Sequence, residues 1–230
     1  MTIFNKVTEI FRKIEEINRN CNLNKEIVVM AAVKQRTVSE IYEAFQAGIR
    51  YFGENRVQEA EQHISEIDLE FRDKIKYHFI GRLQSNKVKR AVDLFDSIDS
   101  VDSLKLANEI DKFSSQIGKI KDVMVEINMG EEQKGGIKIG EIDFFLEKIF
   151  ALKNISLIGL MAIPPFFEEA EKSRPYFKKM YKLFTDIKKI HPNAAVFKYL
   201  SMGMSNDYKV AIEEGANIVR IGTLIFGARR

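Results

Sequence analysis

Cysteine is all but absent from this chain: Cys21 is the single one in 230 residues. An intrachain disulfide and a cysteine-based metal site are thereby excluded, and a reducing cytoplasm is the expected compartment. Long apolar runs are absent as well. No stretch approaches the ~18 residues of a membrane span. Residues 1–20 interleave charged with apolar side chains, where a secretory leader needs an unbroken apolar core. Neither membrane insertion nor secretion is expected. There is no low-complexity tract and no linker rich in Pro or Gly, so nothing marks a domain boundary. Charge of one sign is not in large excess: 36 basic against 33 acidic residues leave +3, too little to demand a nucleic acid partner. The local clusters Lys87, Lys89, Arg90 and Lys188-Lys189 read as solvated helix faces, because no aromatic residues are interleaved with them.

What is present is a globular composition, 45% hydrophobic and 30% charged, which argues against disorder. One domain spanning residues 1–230 is expected at this length. Ile3, Val7, Ile10, Ile14 and Ile17 recur at helical spacing, so the chain opens with an amphipathic helix in search of an apolar surface. Short apolar runs then alternate with helical patterns. The runs are Ile27–Val33, Ile49–Gly53, Tyr77–Gly81, Leu94–Ile98, Asp122–Asn128, Ile155–Met161, Ala195–Leu200 and Ile218–Gly222. The first is apolar throughout, as a strand buried on both faces must be. Helical patterns at Val38–Ala47, Ser103–Gln116, Ile142–Phe150 and Phe167–Lys189 supply the crossovers that parallel neighbours require. Such an alternation predicts an α/β fold, a (β/α)8 TIM barrel with an additional N-terminal helix. A doubly wound open sheet is the alternative.

In a barrel, functional groups collect at the carboxyl ends of the strands, and the loops after the last two strands commonly bind phosphate. Two loops here have that character: Ser201-Met202-Gly203-Met204-Ser205 and Arg220-Ile221-Gly222-Thr223. Ser201, Ser205 and Thr223 offer hydroxyls, Gly203 and Gly222 allow close backbone approach, and unpaired N–H groups at helix starts attract a dianion. A turn followed by an N-cap explains either loop alone equally well. Lys34 follows seven apolar residues and falls at the barrel mouth. A flexible, partly desolvated lysine there can attack a carbonyl and form an imine, though most lysines are merely solvated. Asn55 can bond a ligand edge or cap the helix that begins near Arg56. His78, inside an apolar strand, reads more readily as a satisfied core histidine than as a catalytic one.

These residues resemble one family over nearly the whole chain: the pyridoxal 5′-phosphate homeostasis proteins, barrel relatives of the alanine racemase N-terminal domain. The strings that carry the resemblance are Ala32-Val33-Lys34, Phe52-Gly53-Glu54-Asn55, His78-Phe79-Ile80-Gly81 with Leu83-Gln84-Ser85-Asn86-Lys87, Gly159-Leu160-Met161, Leu200 to Ser205, and Val219 to Thr223 with Phe226-Gly227. The resemblance implies that Lys34 holds pyridoxal 5′-phosphate (PLP) as an internal aldimine. It implies too that Ser201, Gly222 and Thr223 hold the phosphate and that Arg220 faces the pyridine nitrogen. Asn55, Gly203 and Ser205 complete the expected cofactor-binding set. Gln35-Arg36-Thr37 departs from the family's usual Thr-Lys-Pro type continuation, and Arg82 stands at a position that often varies.

The chain ends seven residues beyond Thr223, without room for the second domain that supplies a tyrosine acid/base in the racemases. The expected function is therefore to hold the cofactor as a Lys34 aldimine in intracellular vitamin B6 homeostasis, without substantial catalysis. PLP-dependent apoenzymes are the expected partners, the chain is expected to be a monomer, and no metal is expected. A small PLP-dependent racemase and a sugar-phosphate barrel enzyme with a Lys34 imine are the alternatives. The loop Met129–Gly136 reads as a lid or as a solvent-exposed connection.

Overall fold

The computed structural model describes residues 1–23, 25–130, 135–193 and 195–228. Eight parallel strands close into a barrel: β1 (Val28–Ala32), β2 (Tyr51–Glu54), β3 (Lys76–Phe79), β4 (Ser97–Val101), β5 (Lys121–Asn128), β7 (Ile155–Ala162), β8 (Tyr199–Met204) and β9 (Ile218–Ile221). Pairing of Ile98 with Val123 shuts the ring between β4 and β5. A two-residue strand, β6 (Ile137–Lys138), lies along the end of β5, with Ile137 opposite Ile127. The helices α1 (Ile3–Asn20), α2 (Val38–Gln46), α3 (Val57–Glu66), α4 (Leu69–Asp73), α5 (Val88–Leu94), α6 (Leu104–Gln116), α7 (Ile142–Ile149), α8 (Arg174–Ile190), α9 (Tyr208–Glu213) and α10 (Thr223–Phe226) surround it.

Helix α1 buries Val7, Ile10 and Ile14 against α2, α9 and α10, so it flanks the barrel wall instead of plugging its floor. Two apolar regions follow from the alternation of side chains along each strand. Met30, Ile80, Met124, Ile158, Met161 and Ile218 fill the barrel, while a larger cluster lies between the strands and the helices.

Three element boundaries differ from the sequence reading. The fourth strand starts at Ser97, because Leu94 ends α5 and Phe95 stacks on Tyr77 outside the barrel. The strand itself is polar inside: Ser97 and His78 both bond the buried carboxylate of Asp99. The eighth strand runs Tyr199–Met204, four residues beyond the apolar run Ala195–Leu200 that predicted it. Phe197 is buried because it stacks on Phe184 of α8, so its apolarity reports helix packing and not a strand. Helix α8 begins at Arg174 behind a short 3₁₀ turn, Ala170–Ser173, since Pro175 is tolerated only in a first turn.

Candidate functional site

Parallel strands deliver all their carboxyl-end loops to one mouth. Lys34 sits in the turn after β1, flanked on one side by β2 and on the other by β9. That turn is fixed in detail. The Val33 N–H donates to the Gly53 carbonyl at 3.0 Å, and the Arg36 N–H to the Val33 carbonyl at 3.0 Å. Gln35 takes the left-handed conformation, φ 57°, and its N–H is caught by the carboxylate of Glu59 at 3.1 Å. Thr37 then caps α2 in a reciprocal box with Glu40. Arg36, in the middle of the turn, reaches across to the last loop. Its guanidinium donates to the carbonyls of Phe226 and Gly227, at 3.5 and 2.8 Å, and lies over the Phe226 ring.

A buried network holds the same turn from beneath. His63 of α3 places Nε2 2.8 Å from the Arg36 carbonyl and Nδ1 2.6 Å from the carboxylate of Glu54. Tyr77 donates to the same Glu54 oxygen at 2.8 Å, and Glu54 has no exposed surface. A carbonyl can only accept, and an ionised carboxylate can only accept. The two partners suit a ring that donates from both nitrogens, as an imidazolium does. Burial by itself pulls the His63 pKa down, but the Glu54 hydrogen bond and charge, with the Arg36 carbonyl, carry it above its ordinary value.

On the other flank, Arg220 of β9 stands between Met30 of β1 and Met204 of β8 and is almost wholly buried. Its Nη1 donates to the backbone and hydroxyl oxygens of Ser201, at 2.8 and 2.7 Å, and its Nη2 to the Ala162 carbonyl at 2.9 Å. Burial lowers the guanidinium pKa, and the fields of Glu126, Asp99 and Asp207 oppose that fall. Ser201 lies inside the strand, not in a loop. Ser205 and Thr223 head the two turns that follow, and the Ser205 hydroxyl meets the Leu224 N–H at 3.4 Å. Backbone N–H groups of Ser205, Asn206, Gly222 and Thr223 donate to no described residue. Gly222 rests on β1: a Cβ there would lie 3.4 Å from the Ala32 carbonyl oxygen, so the β9 turn and the Lys34 turn are neighbours.

Gly203 has a structural task besides the one its sequence context suggests. At φ +91° it forms the bulge of β8, and a Cβ on it would come within 2.4 Å of Ala211 in α9. Helix α3 starts at Val57, so Asn55 is not its cap. Asn55 instead lines, with Lys34, a cavity of about 1010 Å³ over the β1 to β4 loops. Gly81 lets the β3 loop cross the Asn55 backbone, where any Cβ would strike the Asn55 carbonyl oxygen at 2.2 Å. His78 is satisfied by Asp99 at 2.8 Å, as a core histidine.

Tyr51 and Tyr199 open their strands at the opposite end of the barrel, and Tyr77 belongs to the outer core. None of the three stands across from Lys34. The lid expectation for Met129–Gly136 falls on residues 131–134, which lie outside the described residues. Among the described residues no cluster of His, Cys, Asp and Glu could hold a metal ion, and no helix is long and apolar enough to cross a membrane. Sequence reading missed Arg36, Glu59 and the His63–Glu54–Tyr77 network. Only the oddity of an acid at the inner end of β2, Glu54, hinted at the last.

Residues 8–230 match the alanine racemase N-terminal domain family. The pyridoxal phosphate homeostasis protein of Aquifex aeolicus (strain VF5) is 39% identical over 98% of this chain and 99% of its own length. The structure of PipY from Synechococcus elongatus PCC7942 with PLP bound superposes with a TM-score of 0.79 at 31% identity, covering 93% of this chain and 100% of that one. An alanine racemase of Clostridium difficile 630 superposes with a TM-score of 0.70 over 95% of this chain and 56% of its own. At 17% identity that likeness is one of fold. By sequence and by architecture, the chain belongs to the alanine racemase N-terminal domain family and, within it, to the pyridoxal phosphate homeostasis proteins.

Proposed function

We propose that this chain binds pyridoxal 5′-phosphate through Lys34 and keeps it for intracellular vitamin B6 homeostasis, with little catalysis of its own. One observation carries the reading: an amine, a buried guanidinium and two anion-ready turns meet on adjacent strands β1, β9 and β8. The residues fit the cofactor. The unclaimed N–H groups of Ser205, Asn206, Gly222 and Thr223, with the Thr223 hydroxyl, suit a phosphate dianion. Ser201, which accepts from Arg220, keeps its own hydroxyl hydrogen to donate. Asn55, which lines the cavity beside Lys34, is assigned to the edge of the ring.

Bound there, the cofactor supplies an aldehyde for an amine and a ring that can draw electrons. The chain's residues restrain the second property. Arg220 is a donor and never an acceptor, so it cannot share a proton with a ring nitrogen as an aspartate would. Its bonds to Ser201 and Ala162 hold it rigid in that role. A ring nitrogen left unprotonated makes a weak electron sink. Racemisation also needs an acid opposite Lys34, and Tyr51, Tyr77 and Tyr199 all lie elsewhere. We place the protein in the cytoplasm, as a monomer that hands its cofactor to PLP-dependent apoenzymes.

The test is spectroscopic. Protein reconstituted with the cofactor is expected to absorb in the near-visible, to be bleached by borohydride, and to lose the band in Lys34→Ala. Persistence of the band in that variant would overturn the assignment, and a colourless protein would favour a sugar-phosphate substrate. Brisk α-proton exchange of L-amino acids in deuterated water would make the protein an enzyme.

A further inference from the structure

The cavity beside Lys34 extends away from the phosphate turns, over the loops after β2, β3 and β4. Its lining carries five basic residues, Lys34, Arg56, Arg82, Lys87 and Lys105, against two acids, Glu59 and Asp102. That excess equals the net charge of the whole chain, +3. The rest of the protein is balanced, and the imbalance is gathered in one concavity. Some of it is already used. Lys34 is the cofactor's amine, and Arg56 pairs with Glu59 at 3.3 Å. Arg82, Lys87 and Lys105 remain, and none of their side chains has an ion-pair or hydrogen-bond partner among the described residues.

Cations gathered in a concavity repel one another, and its low-dielectric walls focus their field on whatever enters. A charge arrangement of this kind is relieved by an anion, and by one with several charges better than by chloride. The floor is apolar: Val57, Phe79, Leu83 and Leu106 are buried beneath the charged rim. Ser85, Ser103 and the amide of Gln84 add neutral polar groups at the β3 and β4 loops. At about 1010 Å³ the space is at the upper end of small-molecule sites. Four separate loops wall it, which suits an enclosed small ligand better than an extended chain. We propose that the β3–β4 side of the mouth is a second ligand site, built for a small organic polyanion bearing two or more phosphate or carboxylate groups. The proposal stands on the cavity's own charge and shape and not on the cofactor reading. Its consequence for that reading is direct: an anion held here lies next to Lys34, where it can favour or oppose cofactor release.

The test is calorimetric titration of pyrophosphate and of citrate, at ionic strength fixed with potassium chloride. Borohydride-reduced, cofactor-loaded protein is used, so that the phosphate turns are already filled. Saturable binding of either probe is expected, weakened at least tenfold in Arg82→Gln/Lys105→Gln and tightened severalfold in Asp102→Asn. Arg82 and Lys105 are exposed, so the double variant is expected to fold and to keep the cofactor's absorption band. A response to pyrophosphate alone assigns phosphate groups to the ligand, and a response to citrate alone assigns carboxylates. The proposal fails if neither probe saturates, if both variants bind as the wild type does, or if only an acidic peptide binds. Should the protein take up no cofactor, the same titration on the protein as purified decides the anion site separately, through its dependence on Arg82 and Lys105.

Discussion

The Nη2 of Arg36 donates to the carbonyl of Gly227 across 2.8 Å, tying the turn that carries Lys34 to the end of α10. The two halves of the proposed cofactor site are thus fastened by a residue that touches neither the aldehyde end nor the phosphate end. Arg36 also approaches Glu40 at 3.6 Å and covers the Phe226 ring. Removing the donors while keeping the stem separates these roles. Arg36→Met is expected to cost about 1–3 kcal/mol from lost charged hydrogen bonds to two carbonyls. A loss of 1 kcal/mol corresponds to a fall in Tm of roughly 2–4 °C at this size. Cofactor affinity is expected to fall severalfold in the same variant and to recover in part with Arg36→Lys. Thermal unfolding and fluorescence titration check both, and a variant with wild-type affinity would show that the fastening does not position Lys34.

His63 makes the turn sensitive to pH. Its folded-state pKa is raised, despite the contrary pull of burial, by Glu54 and by the Arg36 carbonyl. A group that holds its proton more tightly when folded adds stability that is complete below its unfolded pKa, about 6.5. That stability is lost as pH rises through the raised folded value, because the neutral ring can no longer donate to both Glu54 and Arg36. Wild-type Tm is therefore expected to decline on the alkaline side of that value. His63→Gln, with a single donor group, is expected to be less stable in acid and to show a flatter profile. Equal slopes in thermal scans across roughly pH 5 to 9 would remove His63 from this role.

Gly203 is expected to matter more for stability than for ligand binding. Its φ of +91° and the 2.4 Å approach of an added Cβ to Ala211 mean that alanine there both strains the backbone and displaces α9. A cost of about 1–3 kcal/mol is expected from the backbone term, with a further loss from the clash. Chemical denaturation measures it. A variant of normal stability that has lost the cofactor would return Gly203 to the phosphate site.

Parts of this site are readable from composition and order alone. Seven apolar residues ahead of Lys34 place it at a strand end, and the hydroxyl and glycine pattern after Leu200 and Arg220 marks two neighbouring turns. Other parts are invisible for a physical reason. The partners Arg36 and Gly227 are 191 residues apart in the chain. The residues Glu54, His63 and Tyr77 come from a strand, a helix and a further strand. No local period relates such residues, because their contacts exist only once the barrel has closed. The shift of β8 has the same origin: Ser201 reads as a loop residue until Arg220 supplies a buried partner for its hydroxyl.

The sequence by itself determined the alternating parallel α/β plan, the amphipathic first helix and the lysine at a strand end, and the β4–β5 pairing of the structure decided for a closed barrel over an open sheet. Tertiary structure alone decided how the lysine turn is held and in which direction the His63 pKa moves. It alone gathered five cations from four loops into one cavity. Burial and charge are properties of what surrounds a side chain, and closing the barrel is what gives each of these residues its surroundings.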